Sequence, residues 1–299
     1  MRRLMNRLTF TGHETFHCRH FWLKKGYDFL KEDHAFNADD AVVKLGVGKN
    51  MVASINFWMK AFNLKNEQNQ LTEIAHALFD DKKGFDPFLE YEGTLWLLQY
   101  HLVKSETASI YSLFFREFRK TKVNSQFTIQ QLLRYLTRES QRSGSSVAEA
   151  TLKNDIKVFL KTYFLERKGG KELEDDLSSI FIGLNLIDKI DGGDLTEGEL
   201  YQLKVTERRE LPSEIFLYML LDQFAEEVSI SFDTIQVNIA DSLGCNAEGL
   251  EYQISNLCDK YDFVVYKEDA GRKEVQIKGS PDKWDILEDY YNAQVYNID

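Results

Sequence analysis

Apolar residues recur at spacings of three and four along most of the chain, and these runs break at glycines, prolines and polar clusters in a repeating order. In the first run, Ala38 to Leu45 reads as a short helix with Ala41, Val42 and Leu45 inward. Gly46-Val-Gly48 turns the chain, and Met51 to Phe62 follows with Val52, Ile55, Met59 and Phe62 inward. Asn50 is the expected N-cap, Asn63 to Thr72 a wing, and Lys49, Asn50, Ala53, Ser54, Asn56 and Lys60 the exposed face. In the second run, Ile129, Leu132, Leu133 and Leu136 pack inward, and a Ser/Gly-rich loop, Gln141 to Ser146, carries Arg142. A helix then sets Leu152, Ile156, Phe159, Leu160 and Tyr163 on one face.

The third run starts at Pro212, a good first helical residue, and takes in the helix Glu214 to Phe224 and a second around Thr234 to Leu243, ended by Gly244. Ala247 to Tyr261 follows with Leu250, Ile254 and Leu257 inward. Phe263 to Tyr266, a turn at Glu268 to Gly271, and Lys273 to Lys278 then read as a β-hairpin. The pattern predicts a mainly α (α+β) protein of tandem winged-helix or helix-turn-helix modules with short hairpin wings. The expected domains are 1–115, 116–200 and 201–299.

The 299 residues, 43% of them hydrophobic and 13% aromatic, are enough for a large core. No apolar run approaches the roughly twenty residues that cross a bilayer, and the start carries too short an apolar stretch for a secretory signal, so a cytoplasmic protein is expected. Cys18, Cys245 and Cys258 are too few and scattered for a disulfide framework or a cysteine metal site.

A net charge of −11 argues against a surface that grips nucleic acid all over, because neutralising phosphate needs a positive field. The charge is uneven, however. From Arg116 to Lys171 thirteen Lys or Arg face five Asp or Glu, a local +8. Within that segment Lys153, Lys157 and Lys161 recur every four residues as one stripe, and Arg134 and Arg138 stand one turn apart on the preceding helix. These lysines, with Arg134, Arg138, Arg142, Lys49 and Asn50, are the candidate DNA contacts; point charges of this kind position a duplex without reading its sequence. The third module instead exposes Glu248, Glu251 and Asp259, a surface that repels phosphate and is expected to meet protein, another subunit included, as in a homodimer. The acidic stretches Glu172 to Asp176 and Asp188 to Glu199 mark the expected hinge, and Asp175 and Asp176 are weak metal candidates.

The densest polar chemistry lies in Thr9-Phe-Thr-Gly-His-Glu-Thr-Phe-His-Cys-Arg19. His13 to His17 fits H-E-x-x-H, in which two histidines one helical turn apart hold zinc. The competing reading caps a helix at Thr15, with Phe16, His20, Leu23, Tyr27 and Leu30 inward. The N-terminal stretch, Leu45-Gly-Val-Gly-Lys-Asn-Met-Val52 continuing to Trp58, Asp86-Pro-Phe-Leu-Glu-Tyr-Glu-Gly-Thr-Leu-Trp-Leu-Leu98 and a weaker echo at Asp175 to Ile187 resemble a bacterial family first catalogued as a domain of unknown function. Its best understood branch is the SspB-type DNA nickase of single-strand DNA phosphorothioation systems.

That resemblance implies a strand-nicking endonuclease acting on double-stranded DNA, with Mg2+ or Mn2+ as its ion and a cysteine desulfurase, an ATPase and a PAPS-reductase-like sulfurtransferase as its partners. His13, Glu14 and Arg19 would then be the catalytic set, supplying base, metal ligand and phosphate clamp, with Glu14 and Asp86 on the metal. Glu90 and Glu92 are further carboxylates. The alternative is a non-catalytic DNA-binding adaptor that recruits the sulfur-modification enzymes. On that reading His13, Glu14 and Arg19 are structural, their hydrogen bonds orienting a loop.

Overall fold

A computed structural model describes residues 8–122, 124–145, 147–164, 179–190 and 198–296. It divides into two compact units, Met1–Lys204 and Val205–Asp299. Among the described residues the chain is mainly helical, with two three-stranded antiparallel sheets. No described helix is long and apolar enough to cross a membrane.

In the first unit α1 (Trp22–Lys31), α2 (Ala41–Leu45) and α3 (Lys49–Ala61) surround a small core of Phe29, Ala41, Leu45 and Val52. Gly46 at φ 63° ends α2 in the left-handed conformation that glycine adopts without a Cβ penalty. The N-cap of α3 is Gly48, not Asn50, and Ser54, expected on the exposed face, is fully buried. The expected wing is reduced to one bridge, Lys65 to Leu71.

Helices α4 (Glu73–Phe79), α5 (Glu92–Ser105) and α6 (Ser109–Arg116) lead into β1 (Gln126–Thr128), α7 (Ile129–Arg142), α8 (Glu149–Tyr163), β2 (Ile187–Ile190) and β3 (Leu200–Leu203). Thr128 accepts from the Gln131 N–H while the Gln131 side chain accepts from the Thr128 N–H, a reciprocal capping box that fixes where α7 starts. Arg142 ends this helix rather than lying in the loop after it. The sheet order is β1-β3-β2, with Phe127 opposite Tyr201 and their rings stacked at 5.8 Å.

Residues 1–115 and 116–200, expected as separate domains, lie in one unit because their aromatics share a core. Phe114 of α6 packs on Phe159 of α8 at 4.7 Å, Tyr111 on Phe159 at 5.3 Å, and Phe62, which follows α3, on Phe181 at 5.8 Å. Rings of this size dominate core energetics, each burying roughly 150–250 Å².

The second unit runs α9 (Ser213–Gln223), β4 (Ser229–Ser231), α10 (Phe232–Asn238), α11 (Ala247–Lys260), β5 (Val264–Asp269), β6 (Arg272–Ile277) and α12 (Lys283–Tyr296). Its sheet order is β4-β6-β5. Ala270 and Gly271, both at positive φ, make the two-residue hairpin turn that suits the right-handed twist of paired strands. The succession helix, short strand, helix, helix, hairpin thus occurs twice, at α6 to β3 and at α9 to β6. In both sheets the final strand lies in the middle.

Candidate functional site

The N-terminal motif forms a tight turn, not a helix. Gly12 has φ 114°, and a Cβ there would lie 2.5 Å from the Phe57 ring, so only glycine allows this approach. Glu14 and Thr15 are left-handed at φ 47° and 68°, and the Phe16 N–H donates to the His13 carbonyl at 2.8 Å. The first helix begins only at Trp22. Left-handed backbone between His13 and His17 breaks the helical spacing that H-E-x-x-H needs, so the zinc-protease reading falls, and with it the helix capped by Thr15.

The turn sends neighbouring side chains opposite ways. Glu14 and Thr15 are exposed, whereas His13 is 5% exposed, stacked on Trp58 at 6.1 Å with Phe57 edge-on at 5.8 Å. Its Nε2 lies 2.7 Å from Oδ1 of Asp155, a buried residue of α8. On the other side of the ring, Nδ1 accepts the Thr15 backbone N–H at 3.2 Å. An acceptor at Nδ1 puts the ring proton on Nε2, where it is donated to Asp155. Both nitrogens are therefore spent on the fold, leaving no free lone pair to act as a base or bind a metal. Burial pushes the Asp155 carboxyl up to about 6, while the His13 hydrogen bond pulls the other way.

Asp86 is equally tied into the fold. Its Oδ1 accepts from the Glu90 N–H at 2.7 Å, and its Oδ2 from the Tyr91 N–H at 3.0 Å and the Thr94 hydroxyl at 2.6 Å. This 2% exposed carboxylate organises the turn entering α5. Glu90 and Glu92 are both exposed, with Glu92 accepting from the Trp96 indole at 3.3 Å. No group of three or more His, Cys, Asp or Glu among the described residues is arranged to hold a metal ion. Of the pair expected on the metal, Glu14 is exposed, and Asp86 is buried with both of its oxygens accepting hydrogen bonds from the turn. Asp175 and Asp176 lie outside the described residues. Arg19 is half-buried, its guanidinium 5.3 Å from the centre of the Trp22 ring.

The cationic residues behave differently. Lys153, Lys157 and Lys161 are all exposed along α8, while Leu152, Ile156, Phe159 and Tyr163 fill its inner face. Lys153 pairs with Glu149 at 2.6 Å, and Lys157 has no carboxylate partner among the described residues. Arg134, Arg138 and Arg142 are exposed or nearly so on α7; Arg138 and Arg142 share Glu139 at 3.4 and 3.1 Å, which tempers their charge. Lys49 and Asn50 are exposed at the start of α3.

Asp155 sits between Lys153 and Lys157 in sequence, but two residues along a helix is about 200° of rotation. The lysine ridge and the His13 turn therefore lie on opposite faces of α8. Asp155 itself escaped the sequence reading, which counted it only as one of five acids in a basic segment. The available signal was its position next to Ile156 and three residues after Leu152, an acid on an otherwise apolar face.

The second unit is acidic throughout. Residues 205–299 hold eight Lys or Arg against twenty Asp or Glu, a net −12, which leaves +1 on residues 1–204. On α11 Glu248, Glu251 and Asp259 are exposed as expected.

Fold and site define a mainly helical protein with a repeated helix-and-hairpin module, one copy carrying an exposed cationic helix and the other an acidic one. The chain belongs to the family described as "Protein of unknown function (DUF4007)", whose model matches residues 10–291. It is similar to a solved structure described as "SspB crystal structure", at 27% identity, TM-score 0.82, over 97% of this chain and 91% of that one. A second, "Magnesium ion-bound SspB crystal structure", is 26% identical at TM-score 0.82 over 98% and 91%. No curated protein matches the chain.

Proposed function

We propose that this protein is the DNA-contacting component of a single-strand phosphorothioation system, with α8 laid against the phosphate backbone. The likeness to SspB structures supports the system, and the repeated module supports a winged-helix reading in which α8 and α11 take the place of recognition helices. One observation carries the DNA assignment: three lysines stand exposed in a row on α8, in the unit that is positive overall, while the equivalent helix of the other unit is acidic. Lysine neutralises phosphate as a point charge, so this contact is independent of base sequence. The acidic second unit then suits a basic protein surface, such as one of the sulfur-modification enzymes, a cysteine desulfurase, an ATPase or a PAPS-reductase-like sulfurtransferase. The test is duplex binding by fluorescence anisotropy across a salt series. Combined Lys153→Ala, Lys157→Ala and Lys161→Ala should weaken binding to every sequence alike. The slope of log K against log salt should flatten by roughly 0.9 for each phosphate no longer neutralised. An unchanged slope would remove α8 from the interface.

A second reading, Mg2+- or Mn2+-dependent strand nicking, is favoured by Glu14. It is an exposed carboxylate held out by a turn with two non-glycine residues at positive φ, the sort of strain that gathers at functional sites. The magnesium-bound neighbour supports it. Here Glu14 faces solvent and the phosphate, while His13 and Asp86 are positioning residues. Glu14→Gly, which the left-handed backbone accepts, should fold normally and stop metal-dependent conversion of supercoiled to open-circular plasmid. Full nicking by that variant would leave the adaptor role standing alone.

A further inference from the structure

Two of the most exposed large apolar residues in the first unit, Phe21 at 62% and Phe88 at 56%, both adjoin one histidine. The His20 ring meets Phe21 edge-on at 5.1 Å, and its Nε2 bonds the Phe88 carbonyl at 2.8 Å. Phe88 is carried by the turn that Asp86 holds through the Glu90 and Tyr91 N–H groups, and Leu89 within it is left-handed at φ 57°. Neither ring is a loose surface residue. Each is displayed by backbone whose polar groups are tied down.

Phe21 also lines a groove of about 390 Å³ between α1 and α2 with Lys24, Lys25, His34 and Lys44. The other charged groups of this groove have partners: Lys24 is shared by Asp28 at 2.5 Å and Asp81 at 2.6 Å, Lys44 pairs with Asp40 at 2.8 Å, and Glu32 lies 3.1 Å from the His34 ring. Lys25 is exposed, and the partner of its ammonium is a neutral carbonyl, that of Leu45 at 3.0 Å. A presented aromatic face beside a lysine without a carboxylate partner is the combination that binds unpaired nucleotides, the ring stacking on a base and the ammonium meeting the phosphate.

We infer that Phe21 and Phe88, with Lys25 between α1 and α2, form a platform for unpaired nucleotides of a DNA strand. The inference rests on the DNA-contacting role proposed above and adds the form of DNA that this face takes. A duplex cannot use it, since stacked bases offer no free face. The platform is separate from the α8 lysines, which meet phosphate of either form.

The test is anisotropy with a labelled dT12 oligonucleotide, an abasic strand of equal length, and a 12-base-pair duplex, on the full chain. Phe21→Ala and Phe88→Ala are surface changes, and circular dichroism melts check that they leave the fold unaltered. Each is expected to weaken dT12 binding about tenfold. Duplex binding should stay within a factor of two or so, and Phe21→Trp should restore affinity. Wild type should bind the abasic strand no better than the double variant binds dT12. Equal dT12 binding by wild type and double variant, or equal wild-type binding of abasic strand and dT12, would overturn the platform while lysine-dependent duplex binding survives. Loss of self-association in the double variant, with dT12 binding intact, would make the rings a contact between copies and also overturn it. Failure of wild type to bind any of the three DNAs would overturn the DNA-contacting role itself.

Discussion

Replacing Asp155 by asparagine removes a buried charge while keeping an oxygen to accept the His13 Nε2–H, and the consequence depends on pH in a calculable way. The carboxyl stands at about 6 in the fold against 3.8 for the free group, because burial disfavours its charged form. A folded value above the unfolded one means the native state holds the proton more tightly. The favourable contribution is complete below about pH 4 and is lost as pH rises through 6. The gap corresponds to roughly 3 kcal/mol. The asparagine side chain cannot titrate, and any fixed cost of its extra N–H groups is the same at every pH. Stability of Asp155→Asn relative to wild type should therefore improve by roughly 3 kcal/mol between pH 4 and pH 7.5. Urea unfolding followed by tryptophan fluorescence reads this directly, since Trp58 stacks on the His13 ring. His13→Ala should do the opposite, costing about 3–5 kcal/mol above pH 7, where it strands a buried carboxylate without its donor, and less near pH 5. A difference between Asp155→Asn and wild type that is flat with pH, or that grows in favour of wild type at high pH, would refute the reasoning. It would mean that burial does not hold the Asp155 carboxyl above its unfolded value.

Three further changes follow from the same geometry. Gly12→Ala combines a left-handed backbone with a Cβ 2.5 Å from Phe57, and should cost about 1–3 kcal/mol in urea unfolding; a neutral result would mean the turn opens freely. Asp86→Ala removes the acceptor from two backbone N–H groups and the Thr94 hydroxyl, for a loss of about 2–4 kcal/mol. The increment in melting temperature on adding magnesium should be the same as in wild type, and loss of that increment would restore Asp86 as a ligand. Thr128→Ala removes the Oγ1 acceptor of the Gln131 N–H, one half of the capping box on α7, and should cost about 1 kcal/mol, with a shift near zero arguing that the remaining bond from the residue-128 N–H to the Gln131 side chain is enough to fix the start of the helix.

What could be read from the sequence divides along physical lines. Local signals guided well where local energetics decide. The three-and-four spacing placed α3, α8 and α11, Gly244 ended its segment in the left-handed conformation, and the turn before Arg272 made its hairpin. They misled where a distant contact decides. His13 and Asp155 are 142 positions apart, and nothing near either residue announces the other. The motif His13 to His17 has the composition of a helix start, yet Gly12 packed against Phe57 and the left-handed pair after it turn the chain elsewhere. The boundary expected at residue 115 falls inside the first compact unit for a similar reason. A polar run at Arg116 to Lys122 resembles a linker, but Phe114, Phe115 and Phe118 around it all enter the core shared with α8.

The opposed faces of α8 bear on how the protein could act on DNA. A strand held against Lys153, Lys157 and Lys161 is separated from Glu14 by the thickness of a helix, about 10 Å with side chains. On the proposed reading, the phosphates laid against the ridge are therefore not the ones Glu14 would act on. What the His13 to Asp155 bond does supply is mechanical: it fixes the N-terminal turn to the same helix that carries the lysines, so Glu14 and the ridge move as one body. Any strand reaching Glu14 must leave the ridge and pass round the helix, and a single strand bends round such an edge far more readily than a duplex, whose persistence length is about 150 base pairs. On the nicking reading, cleavage at Glu14 would therefore be faster on duplex already opened or frayed near the cut than on the same sequence closed. A plasmid carrying a short unpaired bubble, compared with its paired parent at equal superhelical density, measures that ratio; equal rates would require the duplex to reach Glu14 without the ridge, and would separate the two surfaces entirely.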